Sequence, residues 1–319
     1  MVEGMAGRRL LYLGRDDVTR LLDADAMLVA LEAAFAAFSE GRASVPPRVA
    51  ASTDEGILAA MPGYVPGGGL GLKAISVFPG NHAAGLPSHQ GLIALFDPRT
   101  GTPECVMDAA SVTAARTGGA SAVSVRLLAR PEAHVLTLLG GGVQARSHLA
   151  MVTRVRHIDE IRVAARTPAH AAEIAAADPR AAVAPSFEDA VRGADIVCCC
   201  TDARDPVIRR EWLAPGTHVT SVGTGNELDP ATVRAARVFV EWRGAAEHPY
   251  PAGARELAGI APGEVTELGE VIRKTRPGRT TDDEITVYKS TGHAIEDLVT
   301  ARQVFERARA EGAGRVLVP

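Results

Sequence analysis

The apolar strand His134 to Leu139 runs straight into Gly140-Gly141-Gly142-Val143-Gln144-Ala145, and few folds accommodate that junction. The pattern is G-x-G-x-x-A. Gly140 permits the tight turn, Gly142 lets backbone approach a pyrophosphate, and Ala145 lets the following helix sit close to the strand. A helix is expected from about Gln144 to Val155. Its first turn aims unpaired N–H groups and a partial positive charge at the loop, which suits phosphate. A Gly-rich match alone is weak. This one follows a strand, opens a helix and sits in a βαβ unit. The competing interpretation is a tight turn in a similar domain that binds nothing.

The surrounding pattern supports a doubly wound parallel sheet. Strands are expected at Ile161 to Ala164, Ile196 to Cys200, His218 to Val222 and Val238 to Val240. Helices are expected at Pro168 to Ala177 and Phe187 to Gly193, and this alternation is that of a parallel α/β sheet. Upstream, Asp16 to Glu40 has helical apolar periodicity, and residues 56 to 97 read as short strands and turns. Residues 108 to 129 read as a long Ala/Ser-rich helix ended by Arg130-Pro131, and Ala294 to Glu311 returns to helix.

The second strand of the βαβ unit bears on the cofactor. A site for NAD usually carries an acidic residue at that strand's end, to accept the ribose hydroxyls. Here the chain reads Val163-Ala164-Ala165-Arg166-Thr167, without a carboxylate. Arg166 can pair with a 2′-phosphate bidentately through its planar guanidinium, and Thr167 can add a hydroxyl. NADPH is therefore expected over NADH. The other reading of Arg166 is a solvated loop residue. Thr201 and Val222, at the ends of two further strands, complete the cofactor-contact candidates with Gly140, Gly142, Val143, Gln144 and Ala145.

Bulk properties exclude other classes. The chain has 319 residues, 46% hydrophobic and 23% charged, with a formal net charge of −4. No electrostatic footprint for nucleic acid or anionic lipid is present. No apolar run reaches the ~18 residues of a membrane span. Met1 to Arg9 lacks the apolar core of a signal peptide, so a cytoplasmic protein is expected. Successive side chains on a strand alternate faces, so Cys198, Cys199 and Cys200 cannot all reach one metal. Together with Cys105 they read as buried thiols, and no metal site is expected.

Several segments together resemble the ornithine cyclodeaminase/mu-crystallin family, from about residue 10 to 316. They are Val45-Pro46-Pro47-Arg48, Gly71-Leu72-Lys73, Phe78-Pro79-Gly80-Asn81, Gly85-Leu86-Pro87-Ser88 and Leu95-Phe96-Asp97 with Thr100-Gly101. Further on come Thr113-Ala114-Ala115-Arg116-Thr117-Gly118, Gly142-Val143-Gln144-Ala145-Arg146 and Lys289-Ser290-Thr291-Gly292-His293. The resemblance implies a homodimer. It implies a Rossmann-type doubly wound parallel sheet inserted in a second α+β domain for substrate binding and dimerisation. That places the second domain at about 1–124 plus 296–319 and the dinucleotide domain at 125–295. It also implies hydride transfer between a nicotinamide and the α-carbon of a small amino or imino acid.

By the same resemblance, Arg48, Lys73 and Arg116 match the family's basic cluster around the substrate carboxylate. A planar carboxylate is well held by a bidentate guanidinium. Lys73 lies in an apolar strand, and burial near two arginines would depress its pKa, fitting it for proton donation. The other reading of each is a surface or interface ion pair, which suits Arg48 better than Arg116, since Arg116 lies in a small-residue helix segment. Ser290 and Gly292 should lie near the nicotinamide. His293, and His82 and His89 in the 79–90 loop, are lesser acid/base candidates.

The informative departure is Ser221-Val222-Gly223-Thr224-Gly225-Asn226-Glu227. Cyclodeaminases of the family carry an aspartate soon after this Val-Gly, in a longer loop, where it binds the substrate amine. Here the matching position is Thr224, a candidate substrate contact, and the loop is about three residues shorter. Asn226 and Glu227 are weaker candidates for polar contacts, and the Tyr250–Leu257 loop is expected to shape the pocket. The leading reading is an NADPH-dependent reductase of a cyclic ketimine or Δ1-pyrroline-2-carboxylate type. The alternatives are an ornithine cyclodeaminase with bound NAD, and a non-catalytic NADPH- or ligand-binding protein of mu-crystallin type.

Overall fold

The computed structural model describes residues 9–223 and 225–318 and divides them into two compact units. One unit comprises residues 1–116 and 293–319, the other residues 117–292. The boundary between Arg116 and Thr117 falls inside the long helix Ala109–Leu128.

The first unit is built on a seven-stranded mixed sheet. Its order is Arg315–Leu317, Leu10–Leu13, Pro103–Asp108, His89–Phe96, Gly69–Val77, Ile57–Val65 and Val49–Ser52. The last five strands form an antiparallel meander, and Leu10–Leu13 lies parallel to Pro103–Asp108. Gly69–Val77 is a central strand in which Lys73 stands opposite Met61 on one side and Ile93 on the other. The C-terminal helix Ala294–Glu311 packs on this meander and on the helix Ala24–Ser39. Gly71 makes the close approach possible, because a Cβ there would sit 2.6 Å from Leu298 Cδ2 and 2.7 Å from Ala94 O.

The periodicity of residues 16–40 predicted one helix, and the structure corrects it to two. Arg15–Leu21 ends at Leu22, and Ala24–Ser39 begins anew with Asp23 as its N-cap. The Asp23 carboxylate accepts from the backbone N–H of Asp25 and of Ala26, both at 3.1 Å. An aspartate that satisfies two first-turn donors outcompetes continuation of the previous helix.

The second unit holds an eight-stranded sheet in which every recorded strand pairing is parallel. Its order is Thr266–Glu267, Arg237–Val240, Thr286–Lys289, His218–Ser221, Ile196–Cys199, Val135–Leu139, Glu160–Ala164 and Ala181–Val183. The chain starts at Val135–Leu139, winds outward to one edge, then returns to Ile196–Cys199 and winds the other way. This is the doubly wound Rossmann arrangement expected from the sequence, with its switch point between those two strands. Val135–Leu139 is buried throughout, as a central parallel strand requires. Cys198 and Cys199 lie in the core strand beside it, and burial pushes the Cys198 thiol up to about 12. Sequence periodicity missed Thr286–Lys289 as a strand, although it occupies the middle of the sheet between His218–Ser221 and Arg237–Val240. Among the described residues no helix is long and apolar enough to cross a membrane.

Candidate active site

The loop after Val135–Leu139 contains three glycines that serve different ends. Gly140 has φ +131°, and a Cβ there would meet Cys200 O at 2.5 Å. Its N–H donates to Ala164 O at 2.8 Å, which ties the loop to the neighbouring strand. A Cβ on Gly141 would meet His170 Cβ at 2.4 Å. Gly142 differs, because a Cβ there would meet nothing within 4 Å. It is the N-cap of the helix Val143–Val155 and supplies no capping side chain. The helix start thus has no capping side chain and has room beside Gly142, as an anion cradle requires. Val143 is exposed, while Ala145 is fully buried in the core cluster with Leu136, Leu138 and Cys198. Gln144 Oε1 is buried without a hydrogen-bond partner among the described residues. These features fit a dinucleotide pyrophosphate.

Arg166 and Thr167 follow the strand Glu160–Ala164 and are both exposed, with Thr167 as N-cap of the helix Pro168–Ala175. Thr201, Val222, Ser290 and Gly292 follow the ends of three adjacent strands. The Val222 N–H donates to Cys199 O at 3.2 Å, and the Ser290 N–H donates to Ser221 O at 2.9 Å. Ser290 Oγ accepts the Gly292 N–H at 3.1 Å. Buried Glu241 accepts the Thr291 N–H at 2.7 Å and its hydroxyl at 2.9 Å, fixing the same turn.

Beneath these turns runs a buried ionic network. Glu227 Oε1 accepts the Thr201 N–H at 2.6 Å and its hydroxyl at 2.8 Å. Glu227 Oε2 accepts the Ser221 hydroxyl at 2.7 Å and the Gly223 N–H at 2.8 Å. Lys289 Nζ donates to Ser221 Oγ and Gly223 O, both at 2.9 Å, and lies 2.5 Å from Glu256 Oε2. Glu256 Oε1 in turn accepts the backbone N–H of Glu227 and Leu228. Burial pushes the Glu256 carboxyl above its usual range, against the pull of Lys289. Glu227 is fully buried, and its four hydrogen bonds to Thr201, Ser221 and Gly223 make it a loop anchor. Thr224 lies outside the described residues. Half-buried Asn226 donates its amide to Arg204 O at 3.1 Å.

In the first unit the sequence-predicted cations Lys73 and Arg116 come together. Both are buried, at 1% and 5% exposure. The sequence missed their partners, Glu296 and Asp297, in the first turn of the C-terminal helix and fully buried. Lys73 Nζ donates to both Asp297 oxygens at 3.0 and 3.3 Å. Arg116 Nε donates to Asp297 Oδ1 at 3.0 Å, and its NH1 donates to Glu296 Oε2 at 2.8 Å. Glu296 Oε1 closes the set by accepting the His293 N–H at 2.8 Å. The signal available in sequence was the capping pattern His293-x-x-Glu296.

Burial pulls the Lys73 ammonium down to about 8, and Arg116 and Arg48 act in the same direction against Asp297. Burial alone would raise Asp297, but Arg116 and Lys73 outweigh it and hold the carboxyl below its usual range. Burial raises Glu296 despite Arg116. Arg48 is half-buried and close enough to bear on Lys73 and His293. The His293 ring packs edge-on to Phe38 at 4.6 Å, and burial lowers it to about 3, so it is neutral near pH 7. His89 is exposed, with Nδ1 3.0 Å from Ser88 Oγ, and the His82 side chain lies outside what is described.

The sequence profile of the ornithine cyclodeaminase/mu-crystallin family matches residues 11–312. The chain belongs to this family. It is 36% identical to the ketimine reductase mu-crystallin of Mus musculus, over 92% of this chain and 96% of that one. Among solved structures, it resembles Thermococcus litoralis Δ1-pyrroline-2-carboxylate reductase in complex with NADH and L-proline. That match has a TM-score of 0.89 and 33% identity, covering 96% of this chain and 99% of the other. An archaeal alanine dehydrogenase dimer with bound NAD matches at TM-score 0.88 and 32% identity, over 97% and 99% of the two chains.

Proposed function

We propose that this member of the ornithine cyclodeaminase/mu-crystallin family is a nicotinamide-dependent reductase of a small imino acid, converting C=N to CH–NH. The observation that carries the reading is the buried cluster around Lys73 and Arg116. Three cations, Arg48, Lys73 and Arg116, gather with two buried carboxylates, Glu296 and Asp297, and the cations offer positive charge to a substrate carboxylate. In an environment shielded from water such a charge is far more effective than at a surface. Arg116 is held by Asp297 and Glu296, which fixes the plane of its guanidinium fork. Lys73 holds a proton near neutrality and can release it to the imine nitrogen. A bound dinucleotide would supply the hydride to the imine carbon. With that hydride and the proton from Lys73 a neutral imine becomes a neutral amine, the nucleotide is left oxidised, and Lys73 takes its proton back from solvent.

NADPH is proposed over NADH because Arg166 and Thr167 stand where an acidic residue would hold the free ribose hydroxyls. The pyrophosphate is assigned to Gly142 and the N–H groups of Val143, Gln144 and Ala145. Thr201, Val222, Ser290 and Gly292 are assigned to the nicotinamide end, and Thr224 to substrate. A homodimer is proposed by analogy with the archaeal alanine dehydrogenase, with residues 1–124 and 296–319 as its substrate and dimerisation domain. Residues 125–295 form the dinucleotide domain in this reading, and a cytoplasmic location is proposed.

The purified chain with NADPH should consume the reduced nucleotide when given Δ1-pyrroline-2-carboxylate or Δ1-piperideine-2-carboxylate. A parallel assay supplies NAD and L-ornithine and measures ammonia. Turnover in the second assay alone would replace the reductase reading with cyclodeamination. Silence in both, with NADPH binding intact, would leave a ligand-binding protein. Arg166→Asp should move the NADPH-over-NADH preference in kcat/KM by about tenfold or more, from loss of a charge-assisted phosphate contact. An unmoved ratio would remove Arg166 from the site.

A further inference from the structure

Lysine is scarce in this chain, with three residues, Lys73, Lys274 and Lys289, among 34 basic side chains. Lys73 and Lys289 are buried, and Lys274 is exposed. Arginine does the general work of carrying positive charge. A lysine set in the interior differs from arginine in being compact and able to give up its proton. An ammonium also has three N–H donors and no acceptor. At Lys73 the two oxygens of Asp297, at 3.0 and 3.3 Å, take up two of these donors.

We propose that Asp297 is the positioning residue for Lys73: it anchors the ammonium from the first turn of the C-terminal helix, keeps it protonated in the interior and leaves one N–H for the substrate. Glu296 holds Arg116 NH1 from the same helical turn, and the backbone N–H of His293 holds Glu296 in place. This rests on the reading that Lys73 meets the substrate, but its physical core can be measured without turnover.

The groups facing Lys73 are Arg48, Arg116 and Asp297, with His293 and Glu296 packed around the same set. His293 is neutral and Glu296 is directed at Arg116. Burial, Arg116 and Arg48 all drive Lys73 toward its neutral form, and Asp297 is the group that opposes them. Asp297→Asn keeps the shape and removes the charge. Loss of an opposite charge at this distance moves a pKa by about one to three units. Lys73 would then be largely deprotonated at neutral pH.

The experiment uses the full chain labelled with carbon-13 at the lysine ε-carbon. Three lysines give three side-chain signals, and Lys73 is assigned by the one lost in Lys73→Arg. In the unsubstituted protein its midpoint is expected at about 8. In Asp297→Asn the midpoint should fall by at least about one unit, and in Asp297→Glu it should largely return. Glu296→Gln should move it less. A Lys73 midpoint unchanged within a few tenths of a unit in Asp297→Asn would overturn the proposal. So would a Lys73 midpoint below neutrality in the unsubstituted chain, a reading that needs only the Lys73→Arg assignment and none of the Asp297 variants to fold. Where the protein turns over, the basic limb of its kcat/KM profile should move with the Lys73 midpoint. A merely structural aspartate would lower the rate with that limb fixed. If no imino acid is reduced, the titration still decides the role of Asp297 and only the assigned reaction fails.

Discussion

Arg116 reaches two carboxylates that are consecutive in the chain, and it does so from different nitrogens of one planar group. A lysine at this position has the same charge but cannot span both directions. Arg116→Lys should therefore leave a buried carboxylate poorly paired, at a cost of about 3 kcal/mol. Urea unfolding followed by circular dichroism would measure it. Lys73→Met should abolish imino acid reduction while NADPH affinity, read by fluorescence titration, stays the same. The two cations were legible in the sequence through the family resemblance of Gly71-Leu72-Lys73 and Thr113 to Gly118, with the apolar or small-residue setting of each as support. Their counter-ions were not. Glu296 and Asp297 lie about 180 or more residues away, where acidic residues in a helix's first turn are ordinary dipole partners. Only the fold converts that local preference into a buried ion network.

The loop from Gly140 to Gly142 separates two demands that a motif merges. At Gly140 a side chain collides with Cys200 O and the backbone is left-handed, so Gly140→Ala should lower the thermal midpoint by several degrees, for a cost of about 1–3 kcal/mol. At Gly142 an added methyl meets no protein atom. Gly142→Ala should leave the midpoint nearly unchanged and weaken NADPH binding by about tenfold or more, as the methyl takes the pyrophosphate's space. Calorimetry on the two variants checks both. Equal destabilisation, or undiminished binding in the second, would contradict this division. The helix start was read from sequence to within one residue, since the glycines and the apolar strand are contiguous. The break at Leu22-Asp23 was hidden, because apolar spacing continues across it while the capping bond that decides it is local and polar. Thr286–Lys289 was missed for a related reason: four residues give too little periodicity, and the strand is specified by neighbours 68 residues away.

Across the molecule, three buried histidines are held neutral. Burial lowers His148 to about 4 and His218 and His293 to about 3. Above the ordinary histidine value both folded and unfolded chains leave them uncharged, so stability is indifferent there. Below about 6.5 the unfolded chain binds protons that the folded one refuses, and stability falls as pH falls toward 4. At about pH 5 each contributes a loss of about 2 kcal/mol. Thermal unfolding from neutrality to pH 5 should show a steep decline, shallower in His218→Gln, which cannot titrate. A flat profile would mean these rings are not buried as described. At this scale the alternating strands and helices were enough to predict the doubly wound sheet. The seven-stranded sheet was harder to read, because Leu10–Leu13 and Arg315–Leu317 are short and meet only when the two ends of the chain return to one edge.

Glu227 and Lys289 have one more implication. They grip Gly223 from both its amide and its carbonyl, and Asn226 is tied to Ala203 just beyond. The chain is thereby bolted to the scaffold on both sides of position 224. On the reading that Thr224 meets substrate, a lineage could exchange the side chain carried there, and with it what the protein accepts, while the bolts stay in place.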